Sequence, residues 1–191
     1  MLVLLLVAVF SQSLAQHWTD TGNIKWRKCG TSHDWVHVTK FDIEPKPVLL
    51  PGTISVTLEG DISHRLGHQV TMDIIVEKQL LGTWVRVPCT GTHYNVGTCH
   101  YTDPCNYLRT FERDGQCPPQ LQNNGIQCTC PFDPKQLRLT RAGFHIGAVT
   151  HGFEGFLRDN NEYQVTIKLN DKHNADVERM CIQARVHINV R

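Results

Sequence analysis

The feature that most constrains this chain of 191 residues is the uneven distribution of its eight cysteines. Cys29 and Cys181 lie near the two ends of the chain, and the other six fall within residues 84–132, which we call the cysteine unit. These six are Cys89, Cys99, Cys105, Cys117, Cys128 and Cys130. Because the unit is also rich in proline and glycine, which interrupt regular helices and strands, we predict a loop-rich segment held by covalent cross-links.

The first fifteen residues have the character of a secretory signal peptide. Residues 2–10 form an apolar run that is too short to span a bilayer. Small residues, Ser13 and Ala15, occupy the two positions that precede the expected cleavage site. We therefore predict a signal peptide at residues 1–15, with a buried N-terminal strand as the alternative, and one domain at residues 16–191. In the oxidising secretory pathway, an even number of cysteines predicts four disulfide bonds.

Several functions are disfavoured by composition and spacing. One residue separates Cys128 from Cys130, whereas structural zinc sites usually space paired cysteines by two to four residues, so we predict no metal and no other cofactor. The formal net charge is +1 at pH 7 without a basic stripe, which argues against nucleic acid as a partner. Paired cysteines leave no thiol nucleophile, and the chain lacks the G-x-S-x-G and H-E-x-x-H motifs. We therefore predict a protein that is not an enzyme.

Alternation of apolar and polar residues predicts an all-β fold. The clearest alternating segments are residues 54–58, 70–76, 163–169 and 180–190. A turn after residue 80 followed by a returning segment at residues 84–87 predicts a hairpin. Outside the cysteine unit no segment shows a 3.6-residue period, and within it residues 103–111 could form a turn or two of helix. The expected architecture is a two-sheet β-sandwich or cup with at most a short helix.

The inward-facing residues of these strands could form either an ordinary packed core or the wall of an apolar cavity. Periodicity alone favours the packed core. A cavity forfeits core contacts at roughly 24 cal/mol per Å³, and four disulfides would offset that loss. However, secreted proteins also carry disulfides without having a cavity. The candidate wall residues are Ile54, Val56, Leu58, Val70, Met72, Ile74, Val165, Ile167 and Leu169.

Five motifs resemble those of the ganglioside activators, which are members of the MD-2-related lipid-recognition (ML) family. They are Glu-Pro-Lys-Pro-Val-Leu-Leu-Pro-Gly at 44–52, Gly-Thr-Trp-Val-Arg-Val-Pro-Cys-Thr at 82–90, Gly-Thr-Cys at 97–99, Gln-Cys-Pro at 116–118 and Cys-Thr-Cys-Pro-Phe at 128–132. All eight cysteines fall in the same order as in these proteins, and the resemblance covers essentially all of residues 16–191.

The resemblance implies both a fold and a function. The fold would be a β-cup of two sheets that enclose an apolar lipid cavity. The function would be to extract a glycosphingolipid from a membrane and present it, without catalysis, to a lysosomal β-hexosaminidase; the protein would be lysosomal or exported. A secreted sterol or phospholipid carrier that acts through a protein partner is the alternative. The implied disulfides are Cys29–Cys181, Cys89–Cys99, Cys105–Cys130 and Cys117–Cys128.

Two apolar loops are candidates for peripheral contact with a membrane. The first is the tip of the predicted hairpin, where polar residues would be expected, and the second is the loop of residues 151–161, which contains Gly152 and Gly155. Large apolar residues are costly to expose unless they serve an interaction. The resemblance implies that both loops lie at the rim of the cup. The candidate rim residues are Leu80, Leu81, Trp84, Phe153, Phe156 and Leu157.

Two general quantities bear on this interpretation. An eighteen-carbon chain gains on the order of 14 kcal/mol on leaving water, so a protein that extracts such a lipid must offer a comparably apolar, preformed cavity. The chain also has eleven histidines, and near pH 4.5 their protonation would raise the formal charge from +1 toward +12. Tighter binding to anionic membranes at acidic pH is therefore expected, unless the histidines are scattered surface residues without a role.

Overall fold

Two β-sheets make up most of the structure, a computed structural model that describes residues 17–90, 97–112, 114–147, 161–174 and 177–190. The strands are β1 (Thr19–Asp20), β2 (Lys25–Lys28), β3 (Val36–Glu44), β4 (Val48–Leu50), β5 (Gly52–Ile62), β6 (Val70–Leu80), β7 (Thr83–Arg86), β8 (Cys99–Tyr101), β9 (Lys135–Ile146), β10 (Asn161–Asp171) and β11 (Glu178–Val190). The helices are α1 (Pro104–Arg109) and α2 (Pro119–Gln122).

The larger sheet has the strand order β1-β2-β11-β10-β6-β7. Strand β8 pairs with β6, and β4 pairs with β11 in parallel, whereas the other pairs of this sheet are antiparallel. The smaller sheet is antiparallel, in the order β3-β5-β9. The prolines Pro45 and Pro47 separate the two sheets along the chain, because β3 of the smaller sheet ends at Glu44 and β4 of the larger begins at Val48.

The register of the larger sheet sorts its side chains into an apolar inner face and a polar outer face. Leu169 pairs with both Met72 and Met180, which places three apolar side chains in one row across β6, β10 and β11. Ile167 likewise pairs with Ile74 and Ile182. Because successive side chains of a strand point to opposite faces, the residues between these rows lie on the outer face. That face is polar and carries Asp73, Lys168, Gln164, Glu77 and Arg185.

Three clusters of buried residues fill much of the space between the sheets. The tyrosine cluster is formed by Val48, Leu50, Val87 and Tyr163. The tryptophan cluster is formed by Ile24, Trp26, Val38, Ile182 and Ala184. The valine cluster is formed by Val36, Ile62, Leu66 and Val70. The sandwich is therefore packed in several places.

All eight cysteines are in disulfide bonds, and the pairs are those that the resemblance implies. Cys29–Cys181 closes a sequence separation of 152 residues, and it joins the end of β2 to β11. The three remaining bonds lie within the cysteine unit and close separations of 10, 25 and 11 residues. They are Cys89–Cys99, Cys105–Cys130 and Cys117–Cys128.

The prediction of an all-β, two-sheet fold with four disulfides is confirmed, and so is the hairpin of β6 and β7. The structure has two short helices where at most one was predicted, since residues 119–122 form α2. Strands β1, β2 and β8 were not predicted because two to four residues are too few to show alternation. In the described part of the chain, no helix has the length and apolar character needed to cross a membrane. The predicted signal peptide lies outside the described residues.

Candidate functional site

An apolar cavity of about 310 Å³ lies between the inner face of the larger sheet and the cysteine unit. Its sheet wall is made by Val70, Met72, Ile74, Ile167, Leu169 and Met180. Its opposite wall is made by Leu66, Gly67, Pro104, Cys105, Tyr107, Leu108, Cys130 and Phe132. Apart from the hydroxyl group of Tyr107, the side chains of this described lining are apolar. The cavity is therefore suited to hydrocarbon and not to a polar group.

Disulfide and backbone bonds hold the second wall in place. Helix α1 begins at Pro104, and the bond from Cys105 to Cys130 ties this first turn to the end of the cysteine unit. Leu66 and Phe132 exchange two backbone hydrogen bonds of 2.8 and 2.7 Å, which fasten the same segment to the chain just before β6. The cysteine unit thus forms one side of the cavity, a position that its sequence did not reveal.

A polar contact at the edge of the cavity fixes the start of helix α1. Asp103 is the N-cap, and its Oδ1 accepts a 3.0 Å hydrogen bond from the backbone N–H of Cys105. Its other oxygen lies 2.8 Å from Nδ1 of His68. Burial alone would raise the pKa of Asp103, but the hydrogen bonds from His68, Cys105 and Asn106 outweigh it and hold that pKa below its usual value. The carboxylate is therefore ionised at mildly acidic pH.

A row of aromatic rings lies beside the cavity. The Tyr101 and Tyr107 rings are 4.5 Å apart, and the Tyr107 ring meets Phe111 edge-on at 5.4 Å. Burial, together with the neighbouring Tyr107, raises the pKa of Tyr101 to about 12. Tyr101 is thus neutral at any physiological pH, and the row presents an uncharged aromatic border to the cavity.

The nine predicted wall residues divide into two groups. Val70, Met72, Ile74, Ile167 and Leu169 line the cavity. Ile54, Val56, Leu58 and Val165 are outside the lining. Ile54 packs against the tyrosine cluster and Leu58 against the tryptophan cluster, because the two sheets there are close enough for their side chains to meet. Sequence alternation identified the inner face, but it could not show where along that face the sheets separate.

The hairpin tip has the exposure that was predicted for a rim loop. Leu81 is fully exposed and Leu80 is 43% exposed. Leu81 and Gly82 have φ values of +50° and +81°, the pattern of a tight two-residue hairpin turn that is normally occupied by Asn-Gly. A leucine at this position is unfavourable both for its backbone conformation and for its contact with water. This double cost makes Leu81 a strong candidate for contact with an apolar environment.

The structure places Trp84, a predicted rim residue, on the outer face of the larger sheet. It pairs with Gln79, which is on the outer face of the larger sheet. The guanidinium group of Arg185 lies 5.0 Å from the Trp84 ring and 4.2 Å from the Trp18 ring. The Trp84 side chain therefore packs in a cation–π stack on the face of the sheet away from the cavity. The other predicted rim residues, Phe153, Phe156 and Leu157, lie outside the described residues.

One group of side chains has the spacing of a metal site but not its chemistry. Ligand atoms of His68, Asp103 and Cys105 lie within 4.8 Å of one another. However, the sulfur atom of Cys105 is bonded to Cys130 and is not a thiolate. Only an imidazole and a carboxylate remain, and they already pair with each other.

The fold and the cavity together define a class of protein: a disulfide-bonded β-cup that binds an apolar ligand. The model of the ML domain matches residues 23–188, so the chain belongs to the ML domain family and is a lipid-binding protein of that family.

Two relatives agree with this assignment. The chain is 28% identical over 137 residues to the ganglioside GM2 activator of Macaca fascicularis. The matched segment covers 71% of this chain and 70% of the relative. It is 30% identical over 129 residues to the ganglioside GM2 activator of Mus musculus, covering 67% of this chain and 65% of the relative. A solved structure of a Niemann-Pick type C2 protein from the Japanese carpenter ant is 13% identical, with a TM-score of 0.41, covering 85% of this chain and 97% of that one.

Proposed function

We propose that this protein is a non-enzymatic lipid carrier that extracts a glycosphingolipid from a membrane and presents it to a lysosomal β-hexosaminidase. The observation that supports this proposal most directly is the apolar cavity beside the cysteine unit. A hydrocarbon chain leaves a bilayer without a large cost only if another apolar environment receives it, since each methylene exposed to water costs about 0.8 kcal/mol. The relatives named ganglioside GM2 activator favour a ganglioside as the lipid and an enzyme as the partner.

The hairpin tip supports the extraction step. An exposed leucine in a left-handed conformation gains about 1.5–3 kcal/mol when its side chain enters an apolar phase. Contact of Leu81 and Leu80 with the bilayer surface would bring the protein to its substrate as a peripheral protein. Phe153, Phe156 and Leu157 are proposed as a second contact on the basis of their sequence.

The remaining parts of the proposal follow from this role. The protein would act in the secretory pathway, in lysosomes or after export, where four disulfides are stable. It would need no metal and no organic cofactor, since transfer of a lipid breaks no covalent bond. The bound lipid would be its ligand, and the β-hexosaminidase would supply the catalysis.

A sterol or phospholipid carrier is the second candidate. The observation in its favour is the lining of the cavity, which among the described residues offers almost no polar group to a sugar. In this alternative the partner would be a receptor or another carrier. The two candidates differ in the lipid that the protein removes from a mixed membrane.

Native mass spectrometry can test the proposal. The purified chain, residues 16–191, is incubated at pH 4.5 with liposomes that contain both GM2 and cholesterol. A 1:1 adduct with the ganglioside is expected, followed by stimulation of ganglioside hydrolysis when β-hexosaminidase is added. A sterol or phospholipid adduct alone would replace the first candidate with the second. Absence of any lipid adduct would refute both.

A further inference from the structure

We infer that the guanidinium groups of Arg27 and Arg185, which stack on the ring of Trp18, form a docking site for an acidic segment of a partner protein. The site lies on the outer face of the larger sheet, opposite the face that lines the cavity. This inference rests on the proposed function, because it supplies the surface by which a lipid carrier would bind the protein that receives or processes its lipid.

Two tryptophans and two arginines form a stack on this outer face. The guanidinium carbon of Arg27 lies 4.7 Å from the centre of the Trp18 ring. The guanidinium carbon of Arg185 lies 4.2 Å from the same ring and 5.0 Å from the Trp84 ring. Each distance is within the range of about 6 Å for a cation–π interaction. All four residues are partly exposed, so the stack is both held in place and accessible to a partner.

Two glutamines fix the orientation of the arginines. Nε of Arg27 donates a 2.8 Å hydrogen bond to Oε1 of Gln183. Nε of Arg185 donates a 2.9 Å hydrogen bond to Oε1 of Gln164, which is buried and itself donates to the carboxylate of Glu77. Because both arginines are anchored through Nε, their terminal Nη groups remain as paired donors for a carboxylate.

The positive charge of this site has no direct counter-charge in the described part of the chain. None of the ion pairs among the described residues includes Arg27 or Arg185, and the side-chain hydrogen bonds of both are those of Nε. Two cations held beside one ring repel each other, so an anion that binds both relieves the repulsion. Carboxylates accept the paired Nη–H groups of arginine in bidentate fashion, and the charge therefore favours an acidic ligand.

Composition and position favour a protein as the source of these carboxylates. Tryptophan and arginine are among the residue types that dominate the binding energy of protein–protein interfaces. A lipid in the cavity is separated from the site by the sheet. Arg185 shares a row of the sheet with Glu77, which lies four residues before Leu81, so the site is about 13 Å from the hairpin tip. A partner can therefore dock here while the tip contacts a membrane.

Binding of hexaglutamate to the chain of residues 16–191 tests the site. Isothermal titration is performed at pH 6, where glutamate side chains are ionised, with hexaglutamine as the uncharged control peptide. We expect hexaglutamate to bind, hexaglutamine not to bind, and the binding of hexaglutamate to disappear in about 1 M salt. Arg27→Gln and Arg185→Gln should each raise the Kd about tenfold, because a hydrogen-bonded charge pair is lost.

Matched variants separate docking from net charge and from a structural role. Arg138→Gln removes an equal charge from the exposed outer face of the smaller sheet and should change the Kd by less than about twofold. Arg185→Lys keeps the charge but lacks the planar guanidinium group, so its Kd should lie between those of wild type and Arg185→Gln. Thermal unfolding shows which variants are folded, and Arg185→Lys and Arg27→Gln decide the test if Arg185→Gln is not. Equal Kd values for Arg138→Gln and the folded variants of the site would overturn the inference.

Two further measurements distinguish this inference from a membrane site and from failure of the proposed function. If the arginine variants weaken binding to phosphatidylserine vesicles but not to hexaglutamate, the site binds a membrane and the inference is wrong. In native mass spectrometry, wild type and Arg185→Gln should form the same lipid adduct, since the site is remote from the cavity. Absence of the adduct in wild type would refute the proposed function, whereas lipid binding without any binding of hexaglutamate would refute this inference alone.

Discussion

His68 and Asp103 join the segment just before β6 to helix α1, with Nδ1 of the histidine 2.8 Å from Oδ2 of the carboxylate. His68 lies two residues before β6, and Asp103 is the N-cap of helix α1. The same carboxylate accepts a hydrogen bond from the backbone of Cys105, whose disulfide also holds the helix wall. One short polar contact and one covalent bond therefore hold the first turn of helix α1.

Replacement of Asp103 separates the capping role from the charge. Asp103→Ala should lower the free energy of unfolding by about 1 kcal/mol because an N-cap acceptor is lost. Asp103→Asn should cost less at neutral pH, since asparagine caps helices about as well as aspartate does. Urea unfolding at pH 7 measures both variants. Equal losses for the two would mean that the contact with His68, and not the cap, is the stabilising one.

The sequence predicted the inner face of the cup but not the place of the cavity within it. Alternation in β6 and β10 identified Met72 and Leu169 correctly as inward-facing, because one face of the sheet is buried. Alternation in β5 identified Leu58 equally well, although Leu58 packs against the tryptophan cluster and does not line the cavity. Whether an inward side chain meets another or a void depends on the distance between the sheets, which no local pattern encodes.

The residues contributed by the cysteine unit were missed for a related reason. Leu108 and Phe132 lie in a segment without periodicity, and that segment is held against the sheet by the bond from Cys105 to Cys130 and by the two backbone hydrogen bonds between Leu66 and Phe132. The placement of Trp84, in contrast, was available from the sequence. A two-residue hairpin turn pairs it with the polar Gln79, which indicates the outer face.

The hairpin tip gives a prediction in which stability and membrane binding change in opposite directions. Leu81→Asn creates an Asn-Gly turn, and asparagine tolerates the left-handed conformation, so the free energy of unfolding should rise by about 1 kcal/mol. Loss of the exposed leucine should weaken liposome binding about tenfold. Urea unfolding and liposome co-sedimentation measure the two effects.

A matched control for this variant is available in the cysteine unit. Phe111 is 44% exposed, similar to Leu80, but lies beside helix α1. Phe111→Ser should leave liposome binding unchanged. If both variants weaken binding equally, the loss reflects general surface hydrophobicity, and the hairpin tip has no special role.

The glycine-flanked loop provides an independent test of membrane contact. The double variant Phe156→Ser with Leu157→Ser removes two large apolar side chains that the sequence places between Gly155 and Arg158. We expect weaker liposome binding together with an unchanged thermal unfolding temperature. Co-sedimentation and thermal unfolding of the same preparation decide the matter. Unchanged binding would remove this loop from the proposed membrane contact and leave the hairpin tip alone.

A partly buried ion pair near the β10–β11 turn should control stability at acidic pH. Nη2 of Arg179 lies 2.7 Å from Oδ2 of Asp171. This hydrogen bond, and a second from the backbone of His173, hold the pKa of Asp171 below its usual value. Asp171→Asn should therefore lower the free energy of unfolding by about 1–2 kcal/mol at pH 7.

The lowered pKa of Asp171 determines how this difference in the free energy of unfolding changes with pH. A lowered carboxyl pKa stabilises the folded protein fully above the unfolded pKa of about 3.9, and the contribution is lost as pH falls through the lower folded value. Urea unfolding should show a larger difference between wild type and Asp171→Asn at pH 6 than at pH 2.5. The exposed pair of Arg65 and Asp133 serves as a control, because Asp133→Asn should change stability by less than about 0.5 kcal/mol at either pH.

Protonation of the eleven histidines should strengthen binding to anionic membranes in acidic compartments. Each cation near an anionic leaflet contributes about 1 kcal/mol, and the formal charge rises from +1 toward +12 when all eleven are protonated. Co-sedimentation with phosphatidylserine vesicles at pH 4.5 and pH 7 measures the effect, and neutral phosphatidylcholine vesicles are the control. Stronger binding at pH 4.5 that disappears in about 1 M salt is expected, since screening then acts within about 3 Å. Equal binding at the two pH values would exclude the histidines as a pH switch.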